Sequence, residues 1–173
     1  PIIEALTIDE KVYALPTSVN TSLLYYNKAM FKDHETAIRS ALNLGPEESI
    51  YPQPSWTYDD FQKAGVAMTK CSGAPPHHFG AETQLNWWGE WYVYVQQMGG
   101  SFYVPNTNNH KVALTTPEVI AATTFFREKA MGAEGVKFSP NANEMASANS
   151  FLAGNVAMIF GGHLGDWFSY DAI

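Results

Sequence analysis

The pattern of apolar and polar positions predicts short strands interleaved with helices. The segments "KVYALP" and "SLLYYN" are dominated by β-branched and aromatic residues and are bounded by Pro16 and Asn27, which is typical of short strands. The later run "NVAMIF" is mostly apolar, as in a strand covered on both faces. Between the first two strands, the polar segment "TSVNT" at residues 17–21 predicts a loop whose hydroxyl and amide groups could bind a ligand.

Helical periodicity follows further along the chain. The segment "TYDDFQKAGVAMTK" begins with Thr57 as N-cap and carries Asp60 three residues later, as in a capping box. Apolar or small residues recur at helical spacing and predict one buried face, formed by Phe61, Ala64, Gly65 and Met68. The polar segment between "NKAMF" and this helix ends in "GPEESIYPQPS", which contains three prolines, so we expect the whole segment to be a surface excursion.

An aromatic helix is predicted over residues 87–98, ended by two glycines. Helical spacing places Trp88, Val95 and either Trp91 or Tyr92 on one face, which predicts that these residues are buried. Trp87, on the other side of the first turn, is then the tryptophan expected to be exposed.

Two more helices complete the pattern. The segment "TTPEVIAATTFFREKA" has Thr116 as N-cap and Pro117 at the first helical position, and its apolar stripe consists of Val119, Ala122 and Phe126. The segment "EMASANSFLAG" predicts a helix ending at Gly154, with a buried face of Met145, Ala148 and Leu152. Strands interleaved with such helices indicate an α/β domain with a mostly parallel or mixed sheet.

Composition and charge limit the classes of partner that we expect for this chain. The 173-residue chain has a formal net charge of -7 and no cluster of lysine or arginine, which argues against a nucleic-acid or anionic-membrane surface. No apolar run approaches the roughly 18 residues of a membrane span, and "PIIEALTIDE" does not resemble a signal peptide, so we expect any targeting segment outside this chain. The single cysteine, Cys71, is expected to be a small buried residue.

Candidate catalytic and metal-binding residues are scattered. Glu82, Glu90 and Asp166 lie near the aromatic or glycine-rich segments and could supply the two carboxyl groups of a glycosidase, although their spacing specifies no geometry. His77 and His78 are adjacent, but no further metal-ligand motif accompanies them, so no metal site is predicted.

Sugar binding has a clearer physical basis. Tryptophan rings offer flat apolar platforms for the C–H faces of a sugar, and nearby polar groups can bind its hydroxyls. Trp87 and Trp88 at a helix start provide such rings, and the polar candidates are Asn86, Asn20, Thr17 and His163. Ligands in α/β folds collect where strands end, and Gly161-Gly162-His163 forms such an end.

Five stretches together resemble the family 1 extracellular solute-binding proteins, the carbohydrate-binding subunits of bacterial ABC importers. In chain order they are "KVYALPTSVNTSLLYYNKAMF", "SWTYDDF", the aromatic helix ending "QQMGG", "LTTPEVIAATTFF" and "FLAGNVAMIFGG". The resemblance implies a type II periplasmic-binding-protein fold, in which two α/β lobes close on a ligand. Residues 1–173 would form a single α/β lobe, mainly the second lobe of such a protein.

The resemblance also implies a site and partners. Substrate-binding positions transferred from the family are Thr17, Ser18, Asn20, Thr21, Trp87, Trp88, Gly161, Gly162 and His163. The implied ligand is an oligosaccharide, and the implied partners are the permease subunits and, through them, the ATPase, in a periplasmic or extracellular location with or without a lipid anchor outside this chain. Membrane contact would be made only through the permease or such an anchor, and no cofactor is implied. The alternatives are a carbohydrate-active enzyme and a related receptor for a polyol phosphate or a peptide.

Overall fold

The computed structural model describes residues 2–17, 22–74, 76–83, 87–104, 111–145 and 150–161. In chain order the elements in these ranges are α1 (Ile2–Ala5), β1 (Thr7–Ile8), β2 (Lys11–Val12), β3 (Leu23–Tyr26), α2 (Lys28–Asp33), α3 (Glu35–Leu42), α4 (Tyr58–Ala67), α5 (Trp88–Gln97), α6 (Pro117–Met131), α7 (Ala142–Met145) and β4 (Met158–Gly161). Among the helices of these ranges, none is both long and apolar enough to cross a membrane.

A mixed sheet forms around β4. It pairs with β3 in antiparallel register, from Leu23 opposite Gly161 to Tyr26 opposite Met158. Just before β4, Val156 forms a parallel bridge with Phe79, and both residues are fully buried. The strands predicted in "SLLYYN" and "NVAMIF" are therefore confirmed, and the pairing found in the described residues matches the mixed sheet rather than the mostly parallel one.

The first predicted strand is shorter than its sequence indicates. Only Lys11–Val12 of "KVYALP" pairs, with Thr7–Ile8, in a small hairpin. Asp9 and Glu10 at its turn both have positive φ, as a two-residue type I′ turn requires. The side chains of this hairpin are largely exposed, so no buried apolar surface stabilises strand pairing beyond Val12.

Helix α4 forms as its sequence predicts. Thr57 is the N-cap, and the reciprocal hydrogen bonds with Asp60 complete the capping box. All four residues of the predicted face are buried. The three larger ones pack into the main hydrophobic core cluster with Phe31, Ile38 and Phe138. The capping motif and the apolar spacing specify the same helix, so local and tertiary preferences agree.

Helices α5 and α6 pack side by side and run in opposite directions. Near the start of α5, Glu90 contacts Lys129, and further along Trp91 donates its indole N–H to Thr123. Beyond the end of α5, a Cβ on Gly100 would lie 3.1 Å from Val119, at the start of α6. Both helices lie where the sequence predicts them, and α6 has Pro117 in its first turn and Val119 and Ala122 buried, as predicted.

The segment expected to be a surface excursion instead begins with helix α3. Ile38 is fully buried there, and Leu42, one turn later, packs against the same core. Arg39 closes the following turn by donating to the carbonyl oxygens of Gly45 and Glu48. The three prolines come after this helix, so they restrict only residues 46–54.

The predicted helix in "EMASANSFLAG" is largely replaced by turns in the described residues. Helix α7 ends at Met145, and residues 151–154 form turns. Leu152 is 54% exposed, so its predicted burial is wrong, while its neighbour Phe151 is buried against Phe79 and Val156. Because residues 151–154 form a turn and not a helix, their side chains do not face the directions that helical spacing predicts. Ala148 lies outside the described residues.

Candidate functional site

The β3–β4 ladder brings two of the predicted binding segments to one edge of the sheet. Leu23, the first residue of β3, lies opposite Gly161, the last residue of β4. One residue separates the predicted binding segment 17–21 from Leu23 in the sequence, and Gly161 is the first residue of the predicted Gly161-Gly162-His163 segment. Sequence separation between them exceeds 130 residues, so only the strand pairing makes them neighbours.

Residues 79–82, which precede α5 in the sequence, lie beside the start of β4. Phe79 and Val156 are bridged in parallel, and the Glu82 N–H donates to the Met158 carbonyl oxygen at 2.8 Å. Residues 79–82 and the strand beginning near Val156 therefore run side by side in one direction. The carboxyl ends of parallel neighbours share an edge, which is where α/β folds bind ligands.

Two exposed tryptophans begin the helix that follows. Trp87 is the N-cap of α5 and is 40% exposed, and Trp88, the first residue of α5, is 66% exposed. The prediction that Trp87 is exposed is confirmed, whereas the prediction that helical spacing buries Trp88 is wrong. Trp88 instead packs against Tyr92, with ring centroids 5.7 Å apart, and leaves most of its surface to solvent.

The buried face of α5 explains why Trp88 is outside the core. It is formed by Gly89, Glu90, Tyr94 and Val95, so the face is rotated about one residue from the position that the tryptophans alone predict. At its centre is a buried ion pair between Glu90 and Lys129 of α6, whose side chains are 3% and 0% exposed. A charged residue defines this face, so a count of apolar positions misplaces it.

Tyr94 joins this ion pair to form a closed polar network. Its hydroxyl donates to Glu90 Oε1 at 2.7 Å and accepts from Lys129 Nζ at 2.9 Å. These contacts fix the first turns of α5 to the last turns of α6.

Burial changes the titration of this network. It lowers the pKa of Lys129, an effect that the Glu90 carboxylate opposes. It raises the pKa of Tyr94 well above its usual range, and the charge of Glu90 adds to this effect. The raised pKa keeps Tyr94 neutral, as a hydroxyl that donates to a carboxylate must be.

Glu82 ties the same region to the segment before β4. Its carboxylate accepts the Phe151 N–H at 2.7 Å, and its backbone carbonyl accepts from Lys129 Nζ at 3.2 Å. Burial raises the pKa of Glu82, which the Phe151 hydrogen bond partly offsets. Sequence reasoning considered Glu82 and Glu90 as catalytic candidates, but it missed Lys129. The available signal was a charge of each sign on the apolar stripes of two successive helices.

Several predicted binding residues lie outside the described part of the structure. Thr17 is described and exposed, six residues before Leu23, and the backbone of Gly161 is described at the end of β4. The binding candidates outside the described residues are Ser18, Asn20, Thr21, Asn86, Gly162 and His163, and Asp166 lies outside them too.

The two histidines that are adjacent in the sequence contact different parts of the chain. His78 lies against His34, with their Nε2 atoms 3.2 Å apart, whereas His77 contacts the Gly73 carbonyl oxygen. In the described ranges, no group of three or more histidine, cysteine, aspartate or glutamate residues is placed to hold a metal ion. Cys71 is half-buried beside the Phe79 cluster and forms no disulfide.

Sequence and structure together define an α/β fold, and the chain belongs to the bacterial extracellular solute-binding protein family, whose model matches residues 1–169. No curated protein sequence gives a significant match.

Solved structures with the same fold include three sugar-binding proteins. One is the ABC substrate-binding protein Lmo0181 from Listeria monocytogenes in complex with cycloalternan, with 22% identity over 92% of this chain and a TM-score of 0.67. Another is a cyclo/maltodextrin-binding protein with maltotetraose, with 18% identity over 98% of this chain and a TM-score of 0.63. The third, from Thermotoga lettingae, is a solute-binding protein bound with α-D-tagatose, with 22% identity over 93% of this chain and a TM-score of 0.59.

The chain spans 36–38% of the length of these proteins. They are periplasmic-binding-protein folds, so the expected fold class is confirmed, and the covered share is consistent with one lobe of a two-lobed fold.

Proposed function

We propose that this chain is the ligand-binding lobe, mainly the second lobe, of a carbohydrate receptor for a bacterial ABC importer. The sugar would lie along the sheet edge where β4 ends and α5 begins. Trp87 and Trp88 would stack on its rings, while the loop at residues 17–21 and Gly161, Gly162 and His163 would contact its hydroxyls. A second lobe would then close over the ligand, as in other hinge-bending binding proteins.

The observation that carries this proposal is the rigid presentation of two exposed tryptophans. Trp88 leaves 66% of its surface to solvent, although large aromatic side chains normally gain by burial. The helix that carries Trp88 is held against α6 by the Glu90–Lys129 ion pair and the Tyr94 hydrogen bonds. An aromatic platform on a fixed helix loses little entropy on binding, which favours stacking on a sugar.

Family membership and the ligands of the similar structures support the same substrate class. The ligands bound in those structures are cycloalternan, maltotetraose and tagatose, all of them carbohydrates. The chain would deliver its ligand to the permease subunits of an ABC transporter at the outer face of the cytoplasmic membrane. We place the protein outside the cytoplasm, in the periplasm or on the cell surface, held there where needed by a lipid anchor.

A role in binding rather than catalysis is supported by the partners of the two described carboxylates. Glu90 is bound by Lys129 and Tyr94, and Glu82 accepts the Phe151 N–H. Each carboxylate thus has a structural function that accounts for its position. A glycosidase needs instead one acid and one base or nucleophile facing the scissile bond across several ångströms.

Saturation-transfer NMR on the chain tests this proposal with a panel of malto-, xylo-, cello- and galacto-oligosaccharides. One cleft wall buries less ligand surface than two, so we expect weak binding, which this method detects. Transfer to one sugar series with no new reducing ends is the expected result. The appearance of new reducing-end signals would instead establish a carbohydrate-active enzyme.

A matched pair of variants locates the site. Trp88→Ala should abolish the transfer signal, whereas Ile120→Ala should not, because Ile120 is similarly exposed but lies at the far end of the α5–α6 pair. Equal loss in both variants, or no loss in either, would contradict the proposed platform.

A further inference from the structure

Two histidines from distant parts of the sequence meet on the side of the core formed by α2, α3 and residues 70–79. The Nε2 atoms of His34 and His78 are 3.2 Å apart, and the two rings are inclined at 62° with centroids separated by 4.9 Å. Both side chains are half-buried and so are reachable from solvent. Neither residue belongs to the proposed sugar site.

The separation of the two nitrogens is that of a chelating pair. Two imidazole nitrogens bound to one zinc ion lie about 2.0–2.1 Å from it, and a near-tetrahedral angle then sets them about 3.1–3.4 Å apart. The observed 3.2 Å falls within this interval. Without an ion, His78 Nε2 donates its hydrogen to His34 Nε2; a bound ion would take the place of that hydrogen, and His78 would then carry its hydrogen on Nδ1.

The tautomer of His34 is fixed in the ligating form. Its Nδ1 lies 2.8 Å from the Met30 carbonyl oxygen, which can only accept, so Nδ1 carries the hydrogen and the neutral ring has its lone pair on Nε2. Histidines that bind metals usually donate their other ring N–H to such a carbonyl or carboxylate, which orients the ring and increases its basicity.

The backbone of His78 is held in place on the opposite side of the pair. Its backbone exchanges two hydrogen bonds with Lys70, and the next residue, Phe79, is fully buried. Burial lowers the pKa of His78, and nearby positive charge, including that of Lys70, lowers this pKa further. The same positive charge opposes a bound dication, which predicts moderate rather than very tight affinity.

We propose that His34 and His78 form a two-histidine site for a divalent transition-metal ion such as Zn²⁺, Cu²⁺ or Ni²⁺, with water at the remaining positions. Imidazole is a preferred ligand for this class of ion. A bound metal would cross-link the α2–α3 junction to the segment before the central sheet and stabilise the folded chain by mass action.

Isothermal titration of the untagged chain with Zn²⁺ tests the proposal, with His77→Gln as the matched control. His77 is adjacent to His78, but its Nε2 faces the Gly73 carbonyl oxygen. We expect one ion per chain, at least a tenfold weaker affinity in His34→Gln and in His78→Gln, and an unchanged affinity in His77→Gln. Loss in only one of the first two variants, or loss in His77→Gln, would overturn the pairing, as would the absence of Zn²⁺ binding to the wild type.

A second measurement needs no variant. Substoichiometric Cu²⁺ broadens the amide resonances of nuclei near it, and the two histidines are 44 residues apart in sequence. Simultaneous broadening of residues 30–35 and 76–79 is expected from an ion held between them. Broadening confined to one segment, or centred elsewhere, would refute the site even if a substituted chain failed to fold.

Discussion

The indole ring of Trp87 lies against the backbone of Gly89. A Cβ built on Gly89 would be 2.3 Å from Cζ2 of Trp87 and 2.5 Å from Cε2. The N-cap tryptophan therefore folds back over the first turn of α5, and only a residue without a side chain at position 89 permits this placement. The glycine fixes the position of one of the two rings of the proposed sugar platform.

Substitution of this glycine should separate sugar binding from stability. Gly89→Ala places a methyl group where the Trp87 ring now lies, so the ring must move outward. We expect a several-fold weaker sugar signal, while the free energy of unfolding changes by no more than about 1 kcal/mol, because alanine is the better helix former. Titration by NMR and urea unfolding measure the two quantities.

Gln96→Ala provides a control on the same helix, since Gln96 is exposed on a later turn. It should leave sugar binding unchanged. An unaltered sugar affinity in Gly89→Ala would show that the Trp87 position is irrelevant to the ligand.

Removal of the more exposed tryptophan should affect function alone. Trp88 is 66% exposed, so Trp88→Ala should change the free energy of unfolding by no more than about 0.5 kcal/mol while the sugar signal is lost. Urea denaturation compared with the wild type checks the first part. A large destabilisation would mean that Trp88 is a core residue after all, as helical spacing alone suggested.

The buried ion pair should be sensitive to single but not to paired substitution. Lys129→Met leaves the Glu90 carboxylate buried without its cation, so we expect a loss of about 3–5 kcal/mol in the free energy of unfolding. Adding Glu90→Gln removes the charge and keeps an acceptor for Tyr94, so the double variant should be more stable than Lys129→Met alone.

Lys63→Met serves as the control, because Lys63 pairs with Asp59 on the surface and both side chains are at least half-exposed. It should change stability little, since exposed pairs contribute little. Additive effects of the Lys129 and Glu90 substitutions in a double-mutant cycle would contradict a coupled pair.

The capping box should make part of the stability dependent on pH. Hydrogen bonds from the Thr57 backbone and side chain lower the pKa of Asp60 below its ordinary value of 3.8. A depressed folded-state pKa contributes stability that is present above pH 3.8 and is lost as the pH falls through the lower folded value. Asp60→Asn should therefore be less stable than the wild type at pH 7, and this difference should shrink in the acid range.

Thr57→Ala should cost about 1 kcal/mol at pH 7, the usual value of a side-chain cap. Chemical denaturation of the wild type and both variants at several pH values measures these effects. A difference between wild type and Asp60→Asn that does not vary with pH would exclude the carboxylate as its source.

Much of the fold was predictable where local and tertiary preferences agree. In α4, the capping residues and the apolar spacing specify the same helix, and the structure has it with the predicted buried face. The strands around Leu24 and Ile159 were recognisable because aliphatic and aromatic residues fill both, half-buried along most of β3 and buried at the start of β4.

Prediction failed where burial depends on a partner that is distant in sequence. The buried face of α5 centres on Glu90, which enters the core only because Lys129 neutralises it there, and this rotation exposes Trp88. Leu152 was misplaced because a turn replaced the expected helix, and α3 was not predicted because the three prolines that indicate a surface excursion lie after this helix and not within it.

The sequence by itself determined helices α4, α5 and α6, the principal strands and the family resemblance, and it suggested the tryptophans as a sugar platform, because each of these depends on local spacing or composition. Tertiary structure decided which of these features become neighbours. It set Leu23 beside Gly161, Glu90 against Lys129, and His34 rather than His77 against His78. Strand pairing and packing join residues dozens to more than a hundred positions apart, and periodicity along the chain carries no information about that pairing.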